Sequence, residues 1–206
     1  MSTIALFGGS GRTGERILER LLNQGHDVKL LTRHSMDSKE GVNQIIGDAT
    51  DQAAVRETVR SADVVISALG TDKQNVLSTF TPLVIEAMKQ FNVTRIITVG
   101  TAGILQAHDS DNYRFETKES KRTMTTAAED HARAYELLRD SGLAFTIICP
   151  TQLIDEQSDG DIIISKKVLG TKQSGPISRN DVADLAMDCL TNDAYVGHRV
   201  GITTES

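Results

Sequence analysis

The stretch Thr3-Ile4-Ala5-Leu6-Phe7-Gly8-Gly9-Ser10-Gly11-Arg12-Thr13-Gly14 decides the fold. Thr3 to Phe7 reads as a short buried strand, and a helix follows from about Arg12 to Gln24. Ile17, Leu18, Leu21 and Leu22 recur along that helix at three- and four-residue spacing, and Gly25 ends it. The turn between strand and helix is therefore built from glycine. Gly8, Gly11 and Gly14 permit a sharp reversal, bring bare backbone against a pyrophosphate, and let the helix pack closely on the sheet. The first-turn amides then face an anion, where the helix dipole also favours negative charge. Ser10, Thr13 and Arg12 offer further donors to phosphate. A tight turn with no ligand is the competing reading, and the spacing GxxGxxG departs from the more familiar GxGxxG.

Outward from this turn, short Ile- and Val-rich runs alternate with amphipathic stretches, the pattern of repeated β-α units. Strands are expected at Val28 to Thr32, Asn43 to Ile46, Asp63 to Ser67, Arg95 to Val99 and Ala144 to Cys149. Helices are expected at about Asp51 to Ser61, Val76 to Phe91 and Ala127 to Ser141, with Pro82 a kink or a late start in the second. The central strands are apolar on both faces, as buried parallel strands are. Right-handed crossovers place helices on both sides. The expectation is an α/β, Rossmann-type, doubly wound parallel sheet. His108 to Thr126 is polar with few apolar anchors and reads as a mobile loop. After Pro150 come a strand at Asp161 to Lys166, a helix at Asn180 to Leu190 and a strand at His198 to Ile202. This tail is too small to stand alone, so residues 1–206 read as one domain, with about 150–206 a small extension on the substrate side.

In folds of this kind an acidic residue after the second strand accepts from the ribose 2′-hydroxyl of NAD. Here Thr32-Arg33-His34 occupies that place, and Asp37 lies too far along to substitute. An arginine fork suits a 2′-phosphate, so NADP(H) is favoured over NAD(H); a solvated surface arginine is the alternative. Asp48-Ala49 follows the third strand, where Asp48 either accepts from an adenine amino group or caps the next helix. Ser67-Ala68-Leu69-Gly70 ends the fourth strand with small residues that let an adenosine lie flat.

The chain has 206 residues, 39% hydrophobic and 24% charged, with a formal charge of −6. That balance argues against disorder and against general attraction to nucleic acid or anionic membranes. No run approaches the ~18 apolar residues of a membrane span. Cys149 and Cys189 each sit in an apolar run with no pairing motif, which fits a reducing compartment and a cytoplasmic address. The histidines show no ligand spacing, so no metal site is expected. A monomer or a homodimer is equally compatible.

The chain resembles the atypical short-chain dehydrogenase/reductase group, in its NmrA-like and flavin reductase (biliverdin-IX-beta reductase)-like branch. The resemblance rests on Gly8 to Gly14, Thr32-Arg33, Gly47-Asp48, Ser67 to Gly70, Arg95 to Thr101, Glu129-Asp130-His131, Leu138 to Leu143, Ile177 to Ala183, Cys189 to Asp193 and Gly197-His198. It implies cofactor contacts from Gly8, Ser10, Gly11, Arg12, Thr13, Gly14, Arg33, Asp48, Leu69 and Gly70, with Ala49 and Ala68 beside them. It also implies that Thr101 stands beside the nicotinamide and that Pro150-Thr151-Gln152 passes its carboxamide. The His131 counterpart faces the substrate pocket.

Two departures matter. The Tyr-x-x-x-Lys pair of typical short-chain dehydrogenases is missing, since Tyr113 is followed by Thr117 and Tyr135 by Arg139. Where the flavin and biliverdin reductase carries a histidine, this chain has Gln152, which does not titrate near neutrality. Thr101 and His131 remain as catalytic candidates, against readings as a strand terminator and a solvated surface histidine. Loss of the Tyr-Lys pair weighs against alcohol and ketone chemistry but not against reduction of a small planar acceptor. The expectation is an NADPH-dependent reductase of a flavin, quinone or similar flat molecule; the alternative is a non-catalytic sensor of NADP(H). An isomerase is the weaker third reading, because the chain lacks a large C-terminal substrate domain.

Overall fold

A computed structural model describes residues 1–71, 75–120, 123–171 and 173–205. Its core is an eight-stranded sheet of β1 (Thr3–Phe7), β2 (Asp27–Thr32), β3 (Val42–Ile46), β4 (Val64–Ser67), β5 (Arg95–Val99), β6 (Ala144–Pro150), β8 (Ile162–Lys166) and β10 (His198–Thr204). The order across it is β3-β2-β1-β4-β5-β6-β10-β8. All neighbours are parallel except β8, which runs antiparallel to β10 at the edge. A second, two-stranded parallel sheet joins β7 (Leu153–Ile154) to β9 (Ile177–Ser178).

Alternation along β1 shows how the layers form. Ile4 and Leu6 face one side, with Ile17, Leu18 and Leu21 of α1 (Arg12–Asn23) and Val182 and Ala186 of α5 (Arg179–Thr191). Ala5 and Phe7 face the other, with Val55 of α2 (Gln52–Val59), Phe80 and Val84 of α3 (Val76–Gln90), and Leu138 of α4 (Thr126–Arg139). The strand order reverses direction between β1 and β4, where Phe7 lies opposite Ser67. Loops after these two strands must therefore diverge on one edge of the sheet, leaving a crevice there.

The expected strands and helices form within a few residues of their predicted limits. α3 begins at Val76 and continues through Pro82, so the proline is not its start. The two short strands β7 and β9 went unforeseen, because two-residue elements carry no periodicity. The expectation of a loosely anchored loop at His108 to Thr126 is corrected for the described residues. Tyr113 stacks on Phe115 with ring centroids 5.6 Å apart, and both pack against the core. The Arg199 guanidinium lies 5.3 Å from the Tyr113 ring and 4.3 Å from the Tyr135 ring. Glu119 accepts from the His108 backbone N–H at 2.7 Å and contacts its Nδ1 at 2.9 Å. These anchors are aromatic and charged rather than aliphatic, which is why a search for apolar periodicity overlooked them. Lys121 and Arg122 of that stretch lie outside the described residues. Among the described residues, no helix is long and apolar enough to cross a membrane.

Candidate functional site

The glycine turn sits where β1 feeds α1, against the end of β4. Ala68 donates its N–H to the Phe7 carbonyl at 2.8 Å, so the two loops touch at their roots. Gly8 has φ +77°, and a Cβ there would lie 2.7 Å from the Ala68 carbonyl carbon. A Cβ on Gly14 would collide with the Gly8 carbonyl. Gly9, which the motif reading passed over, is also crowded, though by movable side-chain ends: its Cβ would lie 2.5 Å from Leu30 Cδ1. At Gly11 a Cβ would meet only the Gly8 carbonyl oxygen, at 3.3 Å, so the space in front of it is open. Gly11 is also the N-cap of α1 and offers no side chain to the first-turn amides. These amides remain donors for an outside acceptor.

A cavity of about 470 Å³ opens over this turn. Gly8, Ser10 and Gly11 line one side, Thr32, Arg33, Asp48 and Ala49 another, and Ala68, Leu69 and Gly70 a third. Its size falls within the range of small-molecule sites. The structure thus brings together most of the expected nucleotide-side residues, and adds Gly47, Thr50 and Val76 to them. Thr50 carried a readable signal, since Asp-x-Thr forms a local side-chain turn. Thr32 is 5% exposed and donates Oγ1 to the His34 carbonyl at 2.8 Å, folding the strand end so that Arg33 turns outward.

Asp48 does not cap the helix that follows. The N-cap of α2 is Asp51, whose carboxylate accepts from Ala53 N–H at 2.9 Å. Asp48 instead accepts from the Thr50 hydroxyl at 2.6 Å and the Thr50 N–H at 2.8 Å. The Thr50 hydroxyl is the main reason its carboxyl is held below the usual range, with the Thr50 amide next and the Arg33 charge a smaller contributor. The carboxylate is therefore ionised and fixed in the cavity wall.

Other expected residues lie outside that cavity's lining. Thr13 and Gly14 belong to the first turn of α1. Arg12 is turned away: its guanidinium reaches Asp155 at 3.2 Å, and the same carboxylate takes Arg16 and Arg179 at 3.1 Å each. Asp155 follows β7, so this cluster ties the segment after β6 to the N-termini of α1 and α5. Thr101 is 7% exposed and N-caps a short 3-10 turn, Ala102–Ile104, by accepting from Gly103 N–H at 3.3 Å. Thr151 donates to the Gly175 carbonyl at 2.7 Å, Gln152 is exposed, and Pro150 is buried at the end of β6.

His131 is half-buried rather than solvated. It lines a narrow cleft of about 30 Å³ with Ser67, Phe80, Thr98 and Tyr135, between α3, α4 and the sheet. Its neighbour Asp130 is fully buried. Its two carboxylate oxygens accept from Leu77 N–H at 2.9 Å and Ser78 N–H at 3.0 Å, capping α3 from the adjacent helix. No sequence rule finds a cap supplied from more than fifty positions away.

The tyrosines are engaged elsewhere. Burial, then the nearby Glu136 carboxylate, pushes the Tyr113 phenol up to about 12, and its hydroxyl reaches Glu136 at 3.3 Å. Tyr135 stands edge-on to Tyr113 and Phe145. The Tyr113 phenol is therefore not tuned for proton transfer near neutrality.

Known proteins share this architecture. The chain is 23% identical over 211 residues to the uncharacterised protein YwnB of Bacillus subtilis, covering 98% of this chain and 99% of that one. A provisionally named NADH-flavin reductase from Streptococcus pneumoniae superposes with a TM-score of 0.83 at 23% identity, over 100% of both chains. A short-chain dehydrogenase/reductase from Veillonella parvula, solved with NADP, superposes with a TM-score of 0.77 at 19% identity, over 98% of this chain and 94% of that one. These likenesses establish the fold. A family described as NAD(P)H-binding matches residues 8–193, from the glycine turn to the end of α5, and the chain belongs to this NAD(P)H-binding, Rossmann-type family.

Proposed function

We propose that the chain is an NADPH-dependent reductase that passes hydride to a flat conjugated acceptor such as a flavin or a quinone. The observation that carries the reading is the 470 Å³ cavity, in which a glycine turn with uncapped helix amides faces an arginine across the sheet edge. The open space at Gly11 fits a pyrophosphate against backbone. The amides of the first α1 turn, with Ser10 and Thr13, would hold it. Arg33 would take the 2′-phosphate, and the fixed Asp48 carboxylate, beside Ala49, would accept from the adenine amino group. Ala68, Leu69 and Gly70 form the surface on which the adenosine lies.

When bound, the nicotinamide supplies the hydride. Thr101 and the backbone of Pro150, Thr151 and Gln152 would position its ring and carboxamide, and residues after 150 would complete the acceptor side of a single domain. His131 is the nearest titratable candidate to hold a proton, with solvent as the simpler donor. The raised phenol of Tyr113 and the missing lysine partner disfavour carbonyl chemistry, which needs an acidified tyrosine. Among the structural neighbours, one is named for flavin reduction with NADH and another was solved with NADP, so the flat acceptor has a precedent in the fold and the coenzyme choice rests on Arg33. Buried free thiols at Cys149 and Cys189 suit a cytoplasmic address.

The test mixes purified protein, NADPH or NADH, and FMN or dichlorophenolindophenol, and follows nicotinamide absorbance. Turnover with NADPH that falls on Arg33→Ala, while NADH turnover is largely kept, is the expected result. A second reading is a non-catalytic NADP(H) sensor, favoured by the recessed position of His131. Tight NADPH binding with no turnover on any flat acceptor would establish it and overturn the first.

A further inference from the structure

The sheet ends at β8, and the pairing of that strand leaves a specific set of groups unused. Register with β10 places Ile164 opposite Ile202 and Ser165 opposite Gly201. Lys167 N–H bonds the Arg199 carbonyl at 2.8 Å, and Glu205 N–H bonds the Asp161 carbonyl at 3.3 Å. In an antiparallel ladder successive residues alternate between bonding inward and outward. With residues 161 and 167 bonding to β10, the N–H and C=O of Ile162 and Ile164 point away from the sheet. The same two side chains are exposed, at 45% and 42%, although strand interiors usually hide isoleucine. They share one face of the strand.

We propose that β8 is a self-association edge, on which β8 of a second copy of this chain pairs antiparallel about a two-fold axis. Such an axis, normal to the sheet, keeps each residue on its own face, so only residues of equal parity pair. The outward-bonding residues Ile162 and Ile164 satisfy that condition: Ile162 meets Ile164 of the second copy, and Ile164 meets Ile162. Both backbone pairs form in the hydrogen-bonded arrangement, and four exposed isoleucines gather on one face.

Charge selects the same register. Asp159 and Asp161 precede the strand, while Lys166 ends it and Lys167 follows. Antiparallel pairing brings the acidic approach to β8 in one copy beside the basic end of β8 in the other, and the reverse meeting forms by symmetry. A parallel copy would place like charges together. The two-fold also closes the assembly, because each copy uses its β8 edge once. Native sheets usually blunt an edge of this kind with charge on the strand itself. Here the one charge on the strand, Lys166, closes its end, and the outward-bonding isoleucines before it are left uncharged. The contact is short, so the dimer belongs to the small end of specific interfaces and dissociates on dilution.

Sedimentation velocity of the full chain across a dilution series tests this, with Ile164→Lys as the disrupting variant. The substituted side chain is already at the surface, and circular dichroism reports whether the fold is kept. The expected result is a wild-type dimer that dissociates on dilution through the micromolar range, and an Ile164→Lys monomer at every concentration. A double variant, Ile162→Cys with Ile164→Cys, should cross-link to a dimer on oxidation, against a background of buried native thiols. A wild-type chain that stays monomeric, a dimer unchanged by Ile164→Lys, or an open-ended series of oligomers would each overturn the proposal. None of these outcomes depends on cofactor turnover.

Discussion

Replacing Asp130 by alanine removes a carboxylate that is fully buried yet bonded to no side-chain cation in its cap contacts. Its charge is met by two backbone amides at the start of α3, at 2.9 and 3.0 Å, and by the positive end of that helix. A hydrogen bond to a charged group contributes roughly 1.5–3 kcal/mol, and a helix cap typically about 1 kcal/mol. The buried aspartate itself carries a desolvation cost that alanine does not, so the sum overstates the net loss. Alanine leaves two donors without their acceptor, one of them on the buried Leu77, so a destabilisation of about 3 kcal/mol is expected. With a urea slope of about 3 kcal/mol per molar, the midpoint should fall by about 1 M with the slope unchanged. Asp130→Asn keeps one acceptor oxygen and should lose about half as much. The variant also frees the N-terminus of α3, where Val76 lines the nucleotide cavity, so cofactor affinity should fall while the protein remains folded. A midpoint shift under about 0.3 M for Asp130→Ala would show that water or another group satisfies these amides, and would refute the account.

Arg33→Ala should weaken NADPH binding by about 30- to 100-fold, the equivalent of roughly 2–3 kcal/mol for a charge-assisted fork, and leave NADH binding within about threefold. Fluorescence titration of each coenzyme reads this directly, and an equal loss for both would remove Arg33 from the 2′-phosphate. Gly8→Ala combines a positive φ with a contact 2.7 Å from backbone, so it should cost more than about 2 kcal/mol and abolish coenzyme binding, as thermal melts and the same titration would show. Burial pushes the thiols of Cys149 and Cys189 up to about 12, so each stays protonated in the fold where an unfolded thiol has ionised. The unfolded state then binds fewer protons, and stability should fall as pH rises from about 9 towards 12, with Tyr113 adding to the slope above 10. Melting temperatures across that range should decline less steeply for a Cys149→Ala, Cys189→Ala double variant; a flat profile for the parent chain would contradict the burial.

The glycine turn and the cavity over it were legible because their determinants are local. Backbone at Gly8 and Gly14 cannot carry a side chain against the neighbouring loop, and glycine announces that constraint in sequence whatever else the fold does. The strand ends at Arg33, Asp48 and Ala68 meet in one cavity because strand order brings them to one edge once the β-α repeat is read. Asp48 was ambiguous for a comparable reason: two aspartates lie within four residues of the α2 start, and only geometry tells that Asp51 takes the cap while Asp48 turns to Thr50.

The surroundings of the expected acceptor side were illegible because they are assembled from side chains that meet across long stretches of chain. Asp130 caps a helix more than fifty residues earlier, and Asp155 draws together Arg12, Arg16 and Arg179, diverting Arg12 from the phosphate role its position suggested. Arg199 fixes the 108–120 segment through aromatic faces. Each residue reads as a surface charge when taken singly, since polarity predicts exposure unless a partner is known. The partner is what sequence alone withholds. Burial separates two kinds of charge here: fully hidden Asp130 is committed to capping α3, whereas exposed Arg33 lines the cavity. On the proposed reading, backbone amides and a few exposed polar tips would do the binding, which suits a reaction whose difficult step belongs to the coenzyme.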